Sequence, residues 1–409
     1  MDRQIFASIE IIDGHIRFLI GEYYNTRFNI LNVTKQVTES IKKRLIVNRE
    51  LLVHDIQNVI NTVKNKLGVE IYDVILCIPS KDVFTHNVRV NVDITSVNNK
   101  VTSSEINEAI DIAKSHINEE NRIFVNYICN SYYVDGVLFR KKPKGEKGNK
   151  LEMDISLLYA DLNTTYEYVK LIESINLKVK DIYLDSYACA KEGALFEKSV
   201  STNIIMIKLE RHSTNLTVLS KCNYDSNTSL NIGLLDWYTS FMNKYNIKEK
   251  EASNIIKYNI NLSKTKHEKT PIHLWSVKGE VFSVSETDVY KSIKEPLNNW
   301  INEIENLCKP IIESDKTEII IVGEGADLYK LDELISKRLN VNCSNYAPLT
   351  SLGAREGNDV ATLGCLYAYK EDCELFDVVT SSIDLIKFEE LLNNREHEET
   401  IIKKIIHKK

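Results

Sequence analysis

The hydrophobic positions of this chain show one pattern twice: an apolar strand, a polar turn and a second apolar strand. The four apolar runs cover residues 5–12, 15–21, 203–209 and 216–219. Asp13 and Gly14 join the first pair, and glycine favours a tight turn there because it tolerates a positive φ. A polar turn at 210–215 joins the second pair. A unit that recurs in both halves of a sequence predicts two related lobes that face each other.

Between and after these hairpins the pattern alternates between helix and strand, which is typical of an α/β protein. Apolar residues at helical spacing predict an amphipathic helix over 48–67, and a mostly apolar run over 73–79 predicts a buried strand. Residues 81–161 form a separate module in which we expect three strands and one helix. A mainly helical section, 237–310, then leads to an apolar strand that ends in a glycine loop at Gly323.

Length, charge and cysteine spacing restrict the class of protein. A chain of 409 residues is too long for one ordinary core, so two or more subdomains are expected. The net charge of -6 gives no reason to expect nucleic-acid binding, and we interpret the basic loop at 140–148 as a solvated surface loop. Eight scattered cysteines favour reduced thiols over disulfides or a metal site. Without a signal-peptide pattern or an apolar run of the ~20 residues that span a bilayer, we expect a cytoplasmic protein.

The order of these elements resembles the actin superfamily. In that fold two strand–turn–strand units hold the phosphates of a nucleotide, and a late Gly-x-Gly-Ala loop contacts the nucleoside. The place of the inserted module, 81–161, resembles that of the bacterial cell-division family FtsA. The stretches that also resemble this family are 16–22, 181–188, 321–328 and 361–366. Their order and spacing, more than any single motif, produce the resemblance.

The resemblance implies an α/β protein with an actin-like fold of two facing lobes and an FtsA-type inserted α+β subdomain in the first lobe. The implied division is a first lobe at 1–80 and 162–190, the inserted subdomain at 81–161, a second lobe at 191–236 and 311–370, a mainly helical subdomain at 237–310, a linker at 371–400 and an amphipathic tail at 401–409.

The two phosphate turns depart from the family's pattern because most of their glycines are missing. FtsA-like proteins have roughly Asp-Ile-Gly-Thr-Ser-Lys in the first turn, where residues 10–15 are Glu-Ile-Ile-Asp-Gly-His. They have Asp-Ile-Gly-Gly-Gly-Thr-Thr-Asp in the second, where residues 208–215 are Lys-Leu-Glu-Arg-His-Ser-Thr-Asn. Side chains in a phosphate cradle keep the anion away from the backbone N–H groups. We therefore expect no cofactor, no metal and no enzymatic activity, with Mg-ATP binding as the weaker alternative.

Residues of a degenerate nucleotide site come from both turns, from the segment that enters the second lobe and from the late loop. The candidates are Glu10, Asp13, Gly14, His15, Asp185, Lys208, Ser213, Thr214, Asn215, Gly323, Gly325 and Ala326. Glu324 replaces the middle glycine of the late loop. Ser253 and Ile256 stand where the family has a glutamate and a lysine that contact adenosine, although the alignment allows a slip of one position.

His15 and His212 lie in the two polar turns. We interpret them as solvated turn residues, which is the usual role of a histidine in a turn. The alternative is that they face each other across an empty cleft in which Arg211 holds an anion.

The last nine residues form a basic amphipathic pattern. Four isoleucines fall on one helical face, with lysines opposite. The membrane-binding candidates are Ile401, Ile402, Lys403, Lys404, Ile405, Ile406, Lys408 and Lys409. Apolar burial together with attraction to anionic lipid is what an interfacial anchor requires, and the FtsA resemblance implies such a helix after a linker. The alternative is a solvated tail.

The resemblance implies a scaffold that tethers polymers of the tubulin-like protein FtsZ to the inner face of the plasma membrane at the division site. The partners expected are FtsZ, further copies of this chain in an actin-like filament, and an anionic membrane surface, but not nucleic acid. An actin-like adaptor for pilus or secretion assembly, and an ATP-dependent enzyme of the same superfamily, remain alternatives.

Overall fold

A computed structural model describes residues 3–24, 26–115, 119–277, 280–348, 351 and 353–393. Up to residue 200 the elements are β1 (Gln4–Ile12), β2 (His15–Tyr24), β3 (Arg27–Val37), β4 (Ile41–Lys42), β5 (Leu45–Ile46), α1 (Arg49–Leu67), β6 (Asp73–Ile78), β7 (Phe84–Asp93), α2 (Ser103–Ser115), β8 (Arg122–Val134), β9 (Val137–Phe139), β10 (Lys150–Asp161), α3 (Leu162–Glu173), β11 (Lys178–Leu184), α4 (Asp185–Glu192) and α5 (Leu195–Lys198). The remainder forms β12 (Asn203–Leu209), β13 (Thr214–Ser220), β14 (Asn223–Leu230), α6 (Leu234–Tyr245), α7 (Glu249–Tyr258), β15 (Pro271–Val277), β16 (Glu280–Ser285), α8 (Glu286–Ser314), β17 (Thr317–Gly323), α9 (Leu331–Leu339), β18 (Asn342–Asn345) and α10 (Val360–Leu375), with short 3₁₀ turns at Glu324–Asp327 and Gly357–Asp359.

The first lobe is built on a five-stranded sheet in the order β11-β6-β1-β2-β3. β1 and β2 form the predicted antiparallel hairpin, and β1 also pairs in parallel with β6. Asp13 and Gly14 make the hairpin turn with φ of 33° and 80°, so both central residues have the positive φ that a tight primed turn needs. The strand β3, which was not predicted from the sequence, pairs with β2 along its whole length.

The second lobe repeats this arrangement in a sheet of order β14-β13-β12-β17-β18. β12 and β13 form the second antiparallel hairpin, while β12 pairs in parallel with β17. The two hairpins are those that the repeated sequence pattern predicted, and the structure adds a parallel strand beside each of them.

Two helices, α4 and α10, pack against each other in the core that both sheets share. Gly364 makes their close approach possible, because a Cβ at this position would lie 1.9 Å from the carbonyl oxygen of Ala188. Side chains of both lobes, including Ile9 of β1 and Met206 of β12, belong to the same buried cluster. The lobes are thus joined by apolar packing beneath the cleft that separates their hairpin turns.

The inserted subdomain lies between β6 and α3 and forms a separate four-stranded sheet in the order β7-β10-β8-β9. The helix α2 packs on one face of this sheet through Ile106, Ala109 and Ile110. This small core is distinct from the one shared by the lobes. The sheet's other face is turned towards the second lobe, where Ser156 Oγ lies 2.8 Å from Asn223 Oδ1.

The helical subdomain packs α6, α7 and α8 around Trp237 and Trp300, whose rings meet edge to face at 5.7 Å. It differs from the mainly helical prediction in containing the hairpin β15–β16. None of the helices in the described part of the chain has the length and apolar character needed to span a bilayer.

The predicted linker at 371–400 is wrong for residues 371–393. Residues 371–375 complete α10, and residues 385–393 are helical. Ile383 and Phe388 are buried against the first lobe, and the Ser382 N–H donates to the carbonyl oxygen of Ile5 at 2.8 Å. Apolar residues recur through this stretch, and Leu385, Leu391 and Leu392 also pack on the core, so the pattern itself argued against a linker. The rest of the predicted linker and the tail at 401–409 lie outside the described residues.

Candidate functional site

The turns of the two hairpins meet in the cleft between the lobes. The hydroxyl of Ser213 donates to the Asp13 carboxylate, which joins one turn to the other. Gly14 has φ +80°, and a Cβ there would lie 2.9 Å from Arg211 Nη1. Glycine is therefore required at this position both for the turn and for the approach of the second lobe.

Lys208 lies at the centre of the cleft and is 1% exposed. Its ammonium group donates to Glu10, to Asp185 Oδ2 at 2.8 Å, and lies 3.7 Å from Glu210 Oε1. Glu10 and Asp185 belong to the first lobe, whereas Lys208 belongs to β12 of the second. The lysine thus joins the two lobes through buried ion pairs.

Arg17 of the first lobe binds a carboxylate of the second, just as Lys208 of the second lobe binds carboxylates of the first. This side chain of β2 is 2% exposed and donates to Glu10 Oε2 at 2.9 Å. It also holds both carboxylate oxygens of Glu210, at 3.0 and 2.6 Å, in the fork geometry that guanidinium and carboxylate groups favour. Glu210 lies in the second hairpin turn, so this pair also crosses the cleft.

Arg44 lies in the turn between β4 and β5 and contacts both hairpin turns. Its backbone N–H donates to Asp13 Oδ1 at 2.8 Å, and its Nε donates to Ser213 Oγ at 3.1 Å. Its Nη2 lies 3.7 Å from Asp185 Oδ2. Asp185 also accepts the backbone N–H groups of Ser80 and Ser186, at 2.6 and 2.9 Å.

The late loop contributes one further buried carboxylate, that of Glu324, beside the two hairpins. Gly323 has φ +74°, and a Cβ there would meet Glu210 Oε1 at 2.7 Å. Glu324 Oε1 lies 3.0 Å from His15 Nδ1 and 3.8 Å from Arg17 Nη2. Its other oxygen lies 3.4 Å from Lys257 Nζ of α7.

The titration behaviour follows from burial and from these pairs. Burial alone would raise the pKa of the Glu10 carboxyl, but Lys208 and Arg17 hold that pKa below its ordinary value. Burial opposes ionisation of Glu324 as well, yet His15, Lys257 and Arg17 lower its pKa to about 2. Lys208 and Arg44 hold the pKa of Asp185 far below its ordinary range in spite of burial. The carboxylates of Glu10, Asp185 and Glu324 are therefore ionised at neutral pH.

Arg211 and the two turn histidines do not form the anion site considered above. Arg211 donates to both oxygens of Glu249, at 2.8 and 2.7 Å, and to Glu39 Oε1 at 2.8 Å. His212 Nε2 lies 3.4 Å from Arg211 Nη1, whereas His15 faces Glu324. That hypothesis was wrong because the arginine is already bound by two carboxylates of its own chain.

The remaining candidates surround this network in structural roles. Thr214 Oγ1 donates to the Ile232 carbonyl at 2.7 Å and accepts the indole N–H of Trp300 at 2.9 Å. Asn215 Nδ2 donates to the Ser80 carbonyl at 3.1 Å. A Cβ at Gly325 would lie 2.6 Å from the Cβ of Leu209, so only glycine allows the loop to pack this closely on β12. Ala326 lines a cavity at the surface.

The structure brings three possible metal ligands together, His15, Glu210 and Glu324, with one ligand atom of each within 4.8 Å of the others. Arg17 already binds Glu210 and approaches Glu324, and Lys257 approaches Glu324 from the other side. A metal ion would have to displace these cations. The arrangement fits a protein ion-pair network better than a metal centre.

Three cations of the network were missed in the sequence analysis. Arg17 interrupts the apolar run of β2, and a charged residue within a buried strand could have indicated a buried partner. Lys257 lies one position beyond Ile256, within the slip that the alignment allowed. Arg44 gave no signal, because its place near the cleft depends on how the loop between β3 and α1 folds.

Comparisons with known proteins relate the inserted subdomain to one family. The family model described as the SHS2 domain inserted in FtsA matches residues 80–159. This segment contains the sheet β7-β10-β8-β9 and the helix α2.

Curated proteins that match the chain are cell division proteins FtsA at low identity. The protein of Bacillus subtilis is 20% identical over 232 residues, which are 57% of this chain and 52% of that protein. The protein of Streptococcus pneumoniae is 21% identical over 349 residues, 84% of this chain and 75% of that protein. That of Enterococcus hirae is 21% identical over 215 residues, 53% and 48%. The matched part thus spans about half the length of most of these relatives.

Solved structures share the whole fold. The PilM-PilN type IV pilus biogenesis complex superposes with a TM-score of 0.56 at 11% identity and covers 89% of this chain and 96% of that chain. MreB5 of Spiroplasma citri bound to AMPPNP superposes with a TM-score of 0.50 at 12% identity and covers 91% and 99%. At such identities the likeness shows the fold alone, an actin-like fold of two lobes that here carries an FtsA-type insertion.

Proposed function

We propose that this chain, a divergent relative of FtsA with an actin-like fold, is a cell-division scaffold that tethers FtsZ polymers to the cytoplasmic membrane. The observation that supports this proposal most directly is the inserted subdomain, which matches the FtsA model at the place where the fold carries its insertion. The FtsA relatives extend the likeness beyond this subdomain, because the match to the Streptococcus pneumoniae protein covers 84% of the chain.

We further propose that the chain is not an enzyme and does not bind Mg-ATP in the ordinary way. A nucleotide site needs an open cradle of backbone N–H groups facing the phosphates. Here the cleft is filled by Lys208, Arg17 and Arg44, which are bound to carboxylates of both lobes. A triphosphate would have to displace these cations and meet the carboxylates of Glu10, Glu210 and Asp185. Buried charges that lose their partners are costly, by several kcal/mol for each ion.

We propose that the side chains of the cleft, and not a bound nucleotide, hold the lobes together. Lys208 and Arg17 both bind across it, in opposite directions, and Asp13 and Ser213 join the turns directly. In a nucleotide-dependent relative of this fold the ligand would bridge the lobes. In this chain the closed arrangement is a property of the sequence itself.

Membrane attachment in this proposal depends on the tail at 401–409, which lies outside the described residues. Its support is the sequence pattern of four isoleucines and adjacent lysines and the family's known use of such a segment. The partners proposed are FtsZ, further copies of the chain and anionic lipid. The proposed location is the inner face of the plasma membrane at the division site.

The decisive experiment is recruitment of fluorescent FtsZ from the same organism to vesicles that contain phosphatidylglycerol. The full-length chain should bring FtsZ to the vesicles, and a chain that ends at Thr400 should leave it in solution. Absence of recruitment by the full-length chain, together with absence of FtsZ in a pull-down, would contradict the proposal. A pull-down that instead captured a pilus or secretion component would support the alternative of a pilus or secretion adaptor. The PilM-PilN complex shares the fold of this chain.

A further inference from the structure

A cavity of about 570 Å³ lies between the inserted subdomain and the second lobe, on the far side of the sheet from α2. The inserted subdomain contributes Asn87, Asn130 and Arg140 to its walls, and the second lobe contributes Lys221 and Asn223. Its volume is in the range of ordinary ligand pockets, about 300–1,000 Å³. It is separate from the ion-pair network of the cleft, with which it shares no residue.

The two sides of this cavity are connected through one hydroxyl. Ser156 Oγ lies 2.6 Å from Asn87 Oδ1 and 2.8 Å from Asn223 Oδ1, and it accepts the amide N–H of Asn130 at 2.8 Å. Three asparagines from two subdomains are thereby held in fixed positions around one wall. Asparagine side chains both donate and accept hydrogen bonds, as a peptide main chain does.

The cavity carries an excess of positive charge in an acidic protein. Its single lining carboxylate, Asp154, is bound by the guanidinium of Arg89 at 2.6 and 2.8 Å. Neither Arg140 nor Lys221 has an ion-pair partner within 4 Å among the described residues. The ammonium group of Lys221 acts on the Asp225 carboxyl, where it opposes the rise in pKa that burial causes. The lining residues still carry more positive than negative charge, which a negatively charged ligand would complement.

Lys221 is placed in the cavity by the two-residue turn between β13 and β14. Lys221 and Cys222 have φ of 52° and 66°, as a tight primed hairpin turn requires. The turn is fixed by Ser199, whose carbonyl accepts the Lys221 N–H at 2.7 Å and whose hydroxyl accepts the Cys222 N–H at 3.0 Å.

We propose that this cavity binds an acidic segment of a partner protein in an extended conformation. Arg140 and Lys221 would pair with its carboxylates, and the asparagine amides would bond to its main chain. Val200, which is 43% exposed at the rim, offers an apolar contact that a simple anion would not use. Such a segment would bind the inserted subdomain and the second lobe at once, so its binding would fix their relative position.

The test uses the full-length protein and a fluorescein-labelled peptide of four aspartates, followed by fluorescence anisotropy at low salt. We expect Arg140→Glu and Lys221→Glu each to weaken binding by about tenfold or more, because each reverses a charge that faces the peptide. The matched control is Lys141→Glu, which makes the same charge change in the same basic loop but does not line the cavity. We expect it to weaken binding by less than about threefold, since an exposed charge outside the contact is screened.

An equal loss in all three variants would overturn the proposal, because it would show diffuse attraction to the basic loop. Equally effective competition by inorganic phosphate would overturn it in favour of a simple anion site. Binding to phosphatidylglycerol vesicles that is lost only in Arg140→Glu and Lys221→Glu would overturn it in favour of a lipid site. As a second measurement, the peptide should slow hydrogen exchange at the backbone N–H groups of residues 221–223, and unchanged exchange there would also contradict the proposal.

Discussion

Lys208 and Asp185 belong to opposite lobes, and their charged groups lie 2.8 Å apart with both side chains fully or almost fully buried. Asp185 is fixed further by two backbone N–H groups, and Lys208 by Glu10. The pair therefore lies at the centre of a network whose loss should be felt by the whole fold.

Replacing Lys208 with methionine should lower the free energy of unfolding by about 3–5 kcal/mol, because it leaves buried carboxylates without their partner. Urea unfolding followed by circular dichroism measures the change. The control is Lys309→Met, at an exposed lysine 3.9 Å from Glu313 in α8, which should cost about 0.5 kcal/mol or less. Equal effects of the two substitutions would show that the buried network adds nothing to stability.

Stability should fall as the pH drops from 6 to 3, and Glu324 should account for part of that fall. Its folded pKa, about 2, is below the ordinary value of 4.5, so its contribution is present above the unfolded pKa and is lost as the pH falls towards the folded one. Glu324→Gln should therefore lose about 2 kcal/mol less than the natural chain over this interval. The comparison requires unfolding curves of both proteins at several pH values. Parallel pH profiles would contradict the assigned pKa.

Mg-ATP should produce no binding heat and no rise in melting temperature at millimolar concentration. A ligand that binds the folded state at a hundred times its Kd stabilises that state by about 2.7 kcal/mol, which a thermal melt detects readily. MreB5 of Spiroplasma citri, which has been solved with AMPPNP, serves as the positive control. Micromolar affinity with turnover of ATP would refute the proposal that the cleft is closed to nucleotide.

The tail should account for membrane binding by the full-length chain. A chain that ends at Thr400 should no longer sediment with phosphatidylglycerol vesicles. Replacing Ile402 and Ile405 with serine should weaken binding while keeping the lysines, because each buried CH₂ contributes about 0.8 kcal/mol. High salt should weaken the natural chain as well, since the lysines attract anionic lipid. If the truncated and full-length chains bound equally, the anchor would lie elsewhere.

Gly364→Ala should destabilise the protein, although the same change in an exposed helix usually stabilises it. The added Cβ would lie 1.9 Å from the carbonyl oxygen of Ala188, so α4 and α10 would have to separate. We expect a loss of about 1–3 kcal/mol, as for other overpacked cores. Asn299→Ala, on the exposed side of α8, should change stability by no more than about 0.5 kcal/mol. A neutral or stabilising Gly364→Ala would show that the helices can shift without cost.

Local patterns in the sequence were sufficient to predict the two hairpins, the helix α1 and the order of the main elements. The turn at Asp13 and Gly14 could be predicted because its chemistry is contained in two adjacent residues. The packing of residues 371–393 was missed although Ile383, Leu385 and Phe388 belong to a recurring apolar pattern. No local pattern shows their partners, which lie more than three hundred positions earlier, in β1 and its neighbours.

The position of the cleft between the two hairpins was predicted, but the ion pairs within it were not. The missing glycines marked the turns that differ from the family pattern, and the structure brings Glu10, Asp185 and Lys208 together between them. Their pairing with Arg17 and Arg44 depends on the distance between lobes, which no local pattern encodes. The sequence therefore indicated which segments meet in the cleft more clearly than how their side chains pair there.

Lys208 and Arg17 each bind carboxylates of the opposite lobe. These ion pairs also bear on how the disassembly of a polymer of such chains could be controlled. In a polymer whose subunits hydrolyse a nucleotide, old and new subunits differ in the state of their ligand, and this difference can set the time of disassembly. If, as proposed, the subunits are closed by their own side chains and bind no nucleotide, old and new subunits do not differ in this way. If these chains assemble at a membrane, disassembly would have to be driven from outside, by competition for partners, by release from the lipid surface or by removal of the polymer they tether.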